Sequence, residues 1–306
     1  MKYRGHALSA DVELSVEREG LRLGRDFLDY ADVAALRPVN HRVLIDTLTG
    51  ETLEISMLGF SFDGFWEELT ACFNDRSLEA LFIEETQLMR CEGEYVLPGE
   101  TGRGVVALYP DAVCILPPGA GAVRVPLCFT ERMELNGYQL TLALRSGGVF
   151  TVGKMGYDTK PFADRAEKQA ALTKRQRAAA LAAAPLREPF TEKGLFRTKQ
   201  PEQSWLAVFG DGVCALEFCT DEDAATYLYR FREPLETFLA QLEAATEAMG
   251  VHREIIYLPE DKLNEKPLYR MAAARSEAVR YLRARSDGRL IHNANHAQRL
   301  AEYLQG

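Results

Sequence analysis

Two histidines are the first residues that could do chemistry. His292 and His296 stand four apart in a stretch of helical character, so both imidazoles could face one metal ion. A hydrolytic zinc helix also needs a glutamate directly after the first histidine, to activate water, and position 293 is Asn. No third ligand accompanies the pair, which therefore reads as a solvated helix surface. Asp221-Glu222-Asp223 is a run of carboxylates that could hold a hard cation, but it lacks the alternating spacing and the glycine of a calcium loop. A loop or helix-capping role fits it better. The stretch from Gly99 through Gly102 to Gly104 has the look of a loose phosphate loop. Such a loop must open a helix, whereas the apolar run Val105–Tyr109 that follows reads as a strand.

The same test removes nucleophilic catalysis. Gly59-Phe60-Ser61-Phe62-Asp63 departs from the nucleophile-elbow pattern at its last position, where glycine is required. Walker patterns are absent, and one sequence offers no means of pairing two carboxylates across a cleft. No catalytic, cofactor-binding or metal-binding residue is therefore assigned, and the chain reads as non-enzymatic. The cysteines at 72, 91, 114, 128, 214 and 219 form no CxxC pair. They read as free thiols, with Cys114 and Cys214 buried inside apolar strands.

The chain has 306 residues, which suits two or three domains. Its net charge is −9, and residues 1–86 hold 8 Lys and Arg against 17 Asp and Glu. General nucleic-acid binding needs clustered cations to displace counterions, so no nucleic-acid partner is expected. The basic positions Lys168, Lys174, Arg175 and Arg177 read as the solvated face of a helix, or less simply as a contact for an acidic partner. No stretch approaches the ~18–20 apolar residues of a membrane span. The first residues carry no apolar run of a signal peptide, and a cytoplasmic location is expected.

The elements that position these residues are repeated. Shifted by 97, Val43–Leu69 lies over Leu140–Ala166 without a gap. Gly50 meets Gly147 in a turn, Leu58-Gly59-Phe60 meets Met155-Gly156-Tyr157, and Phe65 meets Phe162 where a helix begins. Shifted by 100, Ala107–Leu116 lies over Ala207–Leu216 and aligns Cys114 with Cys214. Repetition of this kind points to architecture.

Each copy reads as short antiparallel strands followed by one helix. In the first, Val12–Val16 alternates, and His41–Leu48 and Thr52–Met57 flank a hairpin turn at Gly50. The period then changes to four at Phe65, Leu69 and Phe73, with Asp63 placed to cap the helix. The second copy adds the loop Pro117–Gly121 and enters its helix near Pro161. A third, shorter copy keeps Gly194–Thr198, Trp205–Phe209, Val213–Cys219 and Thr226–Phe231. It then goes directly to a helix carrying Leu235, Phe238, Leu239 and Leu242, without the middle strands of the other two. The tail reads as Ile255-Ile256, a candidate edge strand, and two helices, Leu268–Arg285 and Ile291–Leu304, broken at Ser286–Gly288.

This order of strands resembles the pleckstrin-homology-like fold, as do the strand entry Tyr30-Ala31-Asp32-Val33 and the glycine–aromatic steps Gly59-Phe60 and Gly156-Tyr157. The resemblance implies an α+β chain of tandem antiparallel β-barrel or sheet units, each closed by a C-terminal helix, with a helical C-terminal tail. It divides the chain into 1–88, 89–188, a shortened 189–250 and a tail 251–306 that packs on the third unit. Members of that fold bind phosphoinositides, peptides or proteins, and many are scaffolds. The lipid-binding members carry Lys and Arg between their first two strands. The segments read as those loops here, Glu17–Gly20 and Pro110-Asp111, hold no basic cluster, so phosphoinositide binding is not expected. The expectation is a protein-interaction scaffold, with a protein partner or self-association. A weak lipid or anionic-ligand module and an uncharacterised enzyme are the alternatives.

Overall fold

The computed structural model describes residues 2–83, 86–144, 147–183, 195–197, 205–210, 212–218, 225–249, 254–291 and 294–305. It is a mixed α+β structure with several antiparallel sheets, one of them nearly closed and barrel-like. The first sheet is β1 (Lys2–Ala7), β2 (Ala10–Val16), β3 (Gly20–Leu23) and β4 (Asp26–Asp29), paired in that order. A single 3-10 turn, Tyr30–Asp32, leads to β5 (Val33–Val39), β6 (Arg42–Thr47) and β7 (Thr52–Ile55), which form a second sheet. His6 and Ser56 exchange backbone hydrogen bonds of 2.8 and 3.0 Å and join the two sheets.

The helix α1 (Phe62–Ala80) then lays Phe65, Leu69 and Phe73 among Leu14, Leu21, Val43, Ile45 and Ile55. The four-residue spacing puts the three on one face, so one stripe fills the space over both sheets. Ser61, not Asp63, is the N-cap residue. Asp63 sits inside the first turn, where its charge meets the positive end of the helix dipole. Strand β1 was not expected. Its buried positions are Tyr3, Gly5 and Ala7, an alternation with little apolar bulk to announce it. Glu17–Gly20 consequently joins the second strand to the third rather than the first to the second.

The second unit comprises β8 (Met89–Leu97), β9 (Glu100–Leu108), β10 (Ala112–Leu116), β11 (Val123–Pro126), β12 (Thr130–Asn136), β13 (Gln139–Leu144), β14 (Val149–Gly153) and α2 (Thr159–Ala183). Its seven strands form one sheet in the order β11-β10-β9-β8-β14-β13-β12. The repeat extends well beyond the segment legible in the sequence. At the same offset of 97, β4 corresponds to β11, the turn at Tyr30 to one at Leu127, and β5 to β12. Even the irregular pairing recurs, between Val33 and Ala35 and between Thr130 and Arg132. The left-handed residues repeat as Asn40 and Gly137, Gly50 and Gly147, Met57 and Lys154, Gly59 and Gly156. Phe65 and Phe162 are both fully buried.

All five residues of β10 are buried because the sheet is covered on both faces there. Val113 and Ile115 face the second unit's own core. Cys114 and Leu116 pack with Leu78 and Leu81 at the end of α1.

The third sheet is β15 (Leu195–Arg197), β16 (Trp205–Gly210), β17 (Val213–Phe218) and β18 (Ala225–Arg230), followed by α3 (Leu235–Met249). The tail holds α4 (Glu254–Tyr257), α5 (Glu260–Asn264), α6 (Pro267–Arg275), α7 (Glu277–Arg283), β19 (Ser286–Ile291) and α8 (His296–Gln305). Strand β19 pairs antiparallel with β18 and completes the order β15-β16-β17-β18-β19. The third core joins Tyr227, Tyr229, Phe238 and Leu242 to Ile255, Ile256, Val279 and Leu282 of the tail.

The tail thus docks on the third unit through Ile255, Ile256, Val279 and Leu282, but the elements that carry them differ from those expected. Ile255 and Ile256 lie in a helix, and the added strand, Ser286–Ile291, begins at the Ser286–Gly288 stretch that reads as a break. The long helix expected over 268–285 is two helices. Ser276 between them is extended (φ −109°, ψ 114°), and its hydroxyl accepts a 3.2 Å hydrogen bond from the Val279 amide. The β16–β17 hairpin pairs two residues out of step with β9–β10, since Cys214 faces Phe209 whereas Cys114 faces Ala107. A slip of two keeps every side chain on its original face.

Candidate functional site: the three-unit junction and the paired aromatic surfaces

The helix α6 does more than cover the third unit. Met271 is fully buried in the first unit's core, and Ala273 belongs to the third unit's core. Arg270 pairs with Asp32 of the first unit at 2.9 Å. Arg275, the last residue of the helix, lies over the ring of Phe73, 5.0 Å from its centroid. Its Nη1 donates to the carbonyl oxygen of Ala120 at 3.0 Å, and Nη2 to that of Val33 at 3.5 Å. One guanidinium therefore joins the tail to both the first and second units. Gly121 is required beside it, because a Cβ there would overlap the guanidinium and its φ is +78°.

These contacts form one wall of a cavity of about 600 Å3 where the three units meet. Its lining is mainly small and apolar, with Ala34, Ala80, Ala122, Ala248, Ala272 and Ala274 beside Leu81, Phe82 and Val123. The polar groups are Ser77, Arg124, Arg275, Ser276 and Glu277. Arg124 forms an ion pair with Asp111. Arg275 has no carboxylate partner among the described residues, and its Nε is buried without an acceptor. Burial lowers its pKa to about 10, so it stays charged at neutral pH.

The second candidate is a surface that occurs twice. Leu58 and Met155 are buried, Gly59 and Gly156 turn the backbone with φ of +55° and +62°, and Phe60 and Tyr157 are thrown fully into solvent. The glycines suit a left-handed position that a side chain would disfavour. Around Tyr157 lie Leu135, Tyr138 and Lys160, which with it line a surface hollow of about 670 Å3. In the first unit the equivalent turn brings the rings of His41 and Phe62 to 5.4 Å, and Met57 beside it is exposed.

No family model matches the chain, and comparison with curated proteins returns no match. Among solved structures that match is the C-terminal domain of an unknown protein from Leishmania infantum, at 9% identity and a TM-score of 0.28. That match covers 33% of this chain and 96% of the other.

The residues singled out in the sequence fall elsewhere. His292 and Asp221–Asp223 lie outside the described residues, and His296 opens α8. Gly99 forms the turn before β9, and Gly102 and Gly104 lie within that strand. Ser61 and Asp63 belong to the start of α1. On α2, Lys168 and Arg175 are exposed and Lys174 is half-buried. Among the described residues no three His, Cys, Asp or Glu side chains are grouped to hold a metal. The five described cysteines are free. Burial pushes the Cys114 thiol up to about 12 and the Cys214 thiol up as well. No helix among the described residues is long and apolar enough to cross a membrane. Sequence reasoning missed Arg275. A cation ending an alanine-rich helix reads as a partner for the helix dipole, and nothing local tells that it is enclosed.

Proposed function

We propose that the protein is a non-enzymatic interaction scaffold built from two pleckstrin-homology-like units and a shortened third unit completed by the tail. One observation carries this reading. An exposed aromatic ring recurs at the same backbone position in two units, Phe60 in one and Tyr157 in the other. Large aromatics are the side chains that most often anchor protein interfaces, because they bury much area at small entropic cost. Two copies on one body would engage a partner, or a second copy of the chain, at two places at once. Free buried thiols among the described cysteines fit action in the cytoplasm.

The test is a paired capture experiment. Wild-type protein and the double variant Phe60→Asp/Tyr157→Asp, matched in circular dichroism and melting temperature, are incubated with native lysate. Proteins retained by the wild type and lost by the variant support the scaffold. Identical retention by both overturns the role given to these rings.

A further inference from the structure

We propose that the junction cavity is a binding site for a small amphipathic monoanion, a carboxylate with an apolar body, held by Arg275. This goes beyond the scaffold reading and does not depend on it. Arg275 is half-buried, and a guanidinium drawn partly out of water is costly unless it is compensated, commonly by a carboxylate. Arg275 is held by two carbonyl oxygens and one aromatic face, none of which carries a full negative charge. Nη1 and Nη2 donate once each to these carbonyls, which leaves a second N–H on each nitrogen. Asp111 is engaged by Arg124. Glu277, the carboxylate in the cavity wall, is solvent-exposed, and among the described residues no ion pair joins it to Arg275.

The rest of the cavity defines the body of the ligand. Its volume of about 600 Å3 falls within the range of small-molecule sites, roughly 300–1,000 Å3. The alanine-rich wall with Leu81 and Val123 offers little to a polar ligand. A single uncompensated cation suits one negative charge. The Glu277 carboxylate at the wall disfavours a dianion, which argues against a phosphomonoester.

The probe is decanoate, titrated calorimetrically into the full-length protein at neutral pH, with decan-1-ol as the uncharged comparator. Decanoate should bind, and decan-1-ol should bind at least roughly tenfold more weakly, because it lacks the charge-assisted hydrogen bonds. Arg275→Gln should remove that preference. Because this variant also loses contacts to Ala120 and Val33, Ala274→Leu provides an independent arm. It keeps the arginine and fills the cavity, so it should abolish decanoate binding without lowering the melting temperature. The proposal is overturned if decanoate does not bind, if decan-1-ol binds as tightly, or if Ala274→Leu binds decanoate like the wild type.

Discussion

The guanidinium of Arg275 lies 5.0 Å from the centre of the Phe73 ring, so the C-terminal tail is anchored against the core of the first unit. Phe73 is a fully buried residue of α1 and also meets Tyr30 edge-on at 5.8 Å. Helix α6 therefore packs against the first unit as well as the third unit that it follows in sequence. Met271 shares the first unit's core although it lies beyond residue 250 in the chain.

Met271 gives the first prediction. It is fully buried among first-unit residues, although it belongs to the tail. Met271→Ala should cost about 2–5 kcal/mol, the usual range for such a truncation. Hydrogen exchange should quicken at the amides of α1 and β3 as well as in the third unit. Faster exchange confined to residues after 190 would show that α6 does not support the first core.

The repeat gives the second. Phe65 and Phe162 are equivalent and both fully buried, in separate cores. Phe65→Ala and Phe162→Ala should each cost roughly 3–5 kcal/mol. With several cores the unfolding is not two-state, so each loss should be read from exchange in its own unit. A loss below about 1 kcal/mol at either site would mean that the ring is not a core residue.

The recurring features were the legible part of this fold, and there is a physical reason. Gly50, Gly147, Gly59 and Gly156 all take left-handed φ, a conformation few residues tolerate, so the turns survive in the sequence as punctuation. Strand β1 was hidden because Gly5 and Ala7 bury little. Strand β19 was hidden because Ser286-Asp287-Gly288 has the composition of a turn, yet its backbone is held by β18. Tertiary pairing overrides propensity there. Neither candidate surface could be read in full. Phe60 and Tyr157 stood out by position, but their exposure follows from the burial of the residues before the glycines. The cavity joins residues from five separate segments, and no local pattern records it.

Thiol chemistry offers a third prediction. Cys114 and Cys214 are fully buried, and burial raises both pKa values, so neither supplies accessible thiolate. In native protein at pH 8, an aromatic disulfide reagent should label Cys72, which is half-buried, before Cys114 or Cys214. Mass spectrometry of the labelled peptides gives the order. Labelling of Cys114 or Cys214 as fast as Cys72 would contradict the packing of β10 or β17.

A fourth concerns pH. Glu233, just before α3, forms an ion pair with Arg285 and accepts a hydrogen bond from Tyr281. The hydrogen bond from Arg285 holds its carboxyl below the ordinary range. A carboxyl depressed on folding stabilises the folded state fully above its unfolded pKa, near ~4.3. That contribution fades as pH falls through the lower folded value. Glu233→Gln should therefore lower the melting temperature at pH 7 and approach the wild type at pH 3. An equal deficit at both pH values would mean that the charge is not what Arg285 recognises.

The last prediction concerns the strand that the tail adds. Strand β19 covers the edge of β18, whose residues from Ala225 to Tyr229 are all buried. On the outer side, Asp287 of β19 pairs with Arg230 at 2.9 Å and accepts from the Tyr303 hydroxyl at 3.1 Å, which ties α8 to the same edge. Removing residues 286–306 would leave β18 as a long apolar edge with unpaired amides and carbonyls. That arrangement templates further strand addition. The truncated chain should elute as a concentration-dependent oligomer and bind an amyloid-sensing dye. A truncated protein that stays monomeric and melts like the full chain would show that β19 is dispensable and that the third sheet is complete without it.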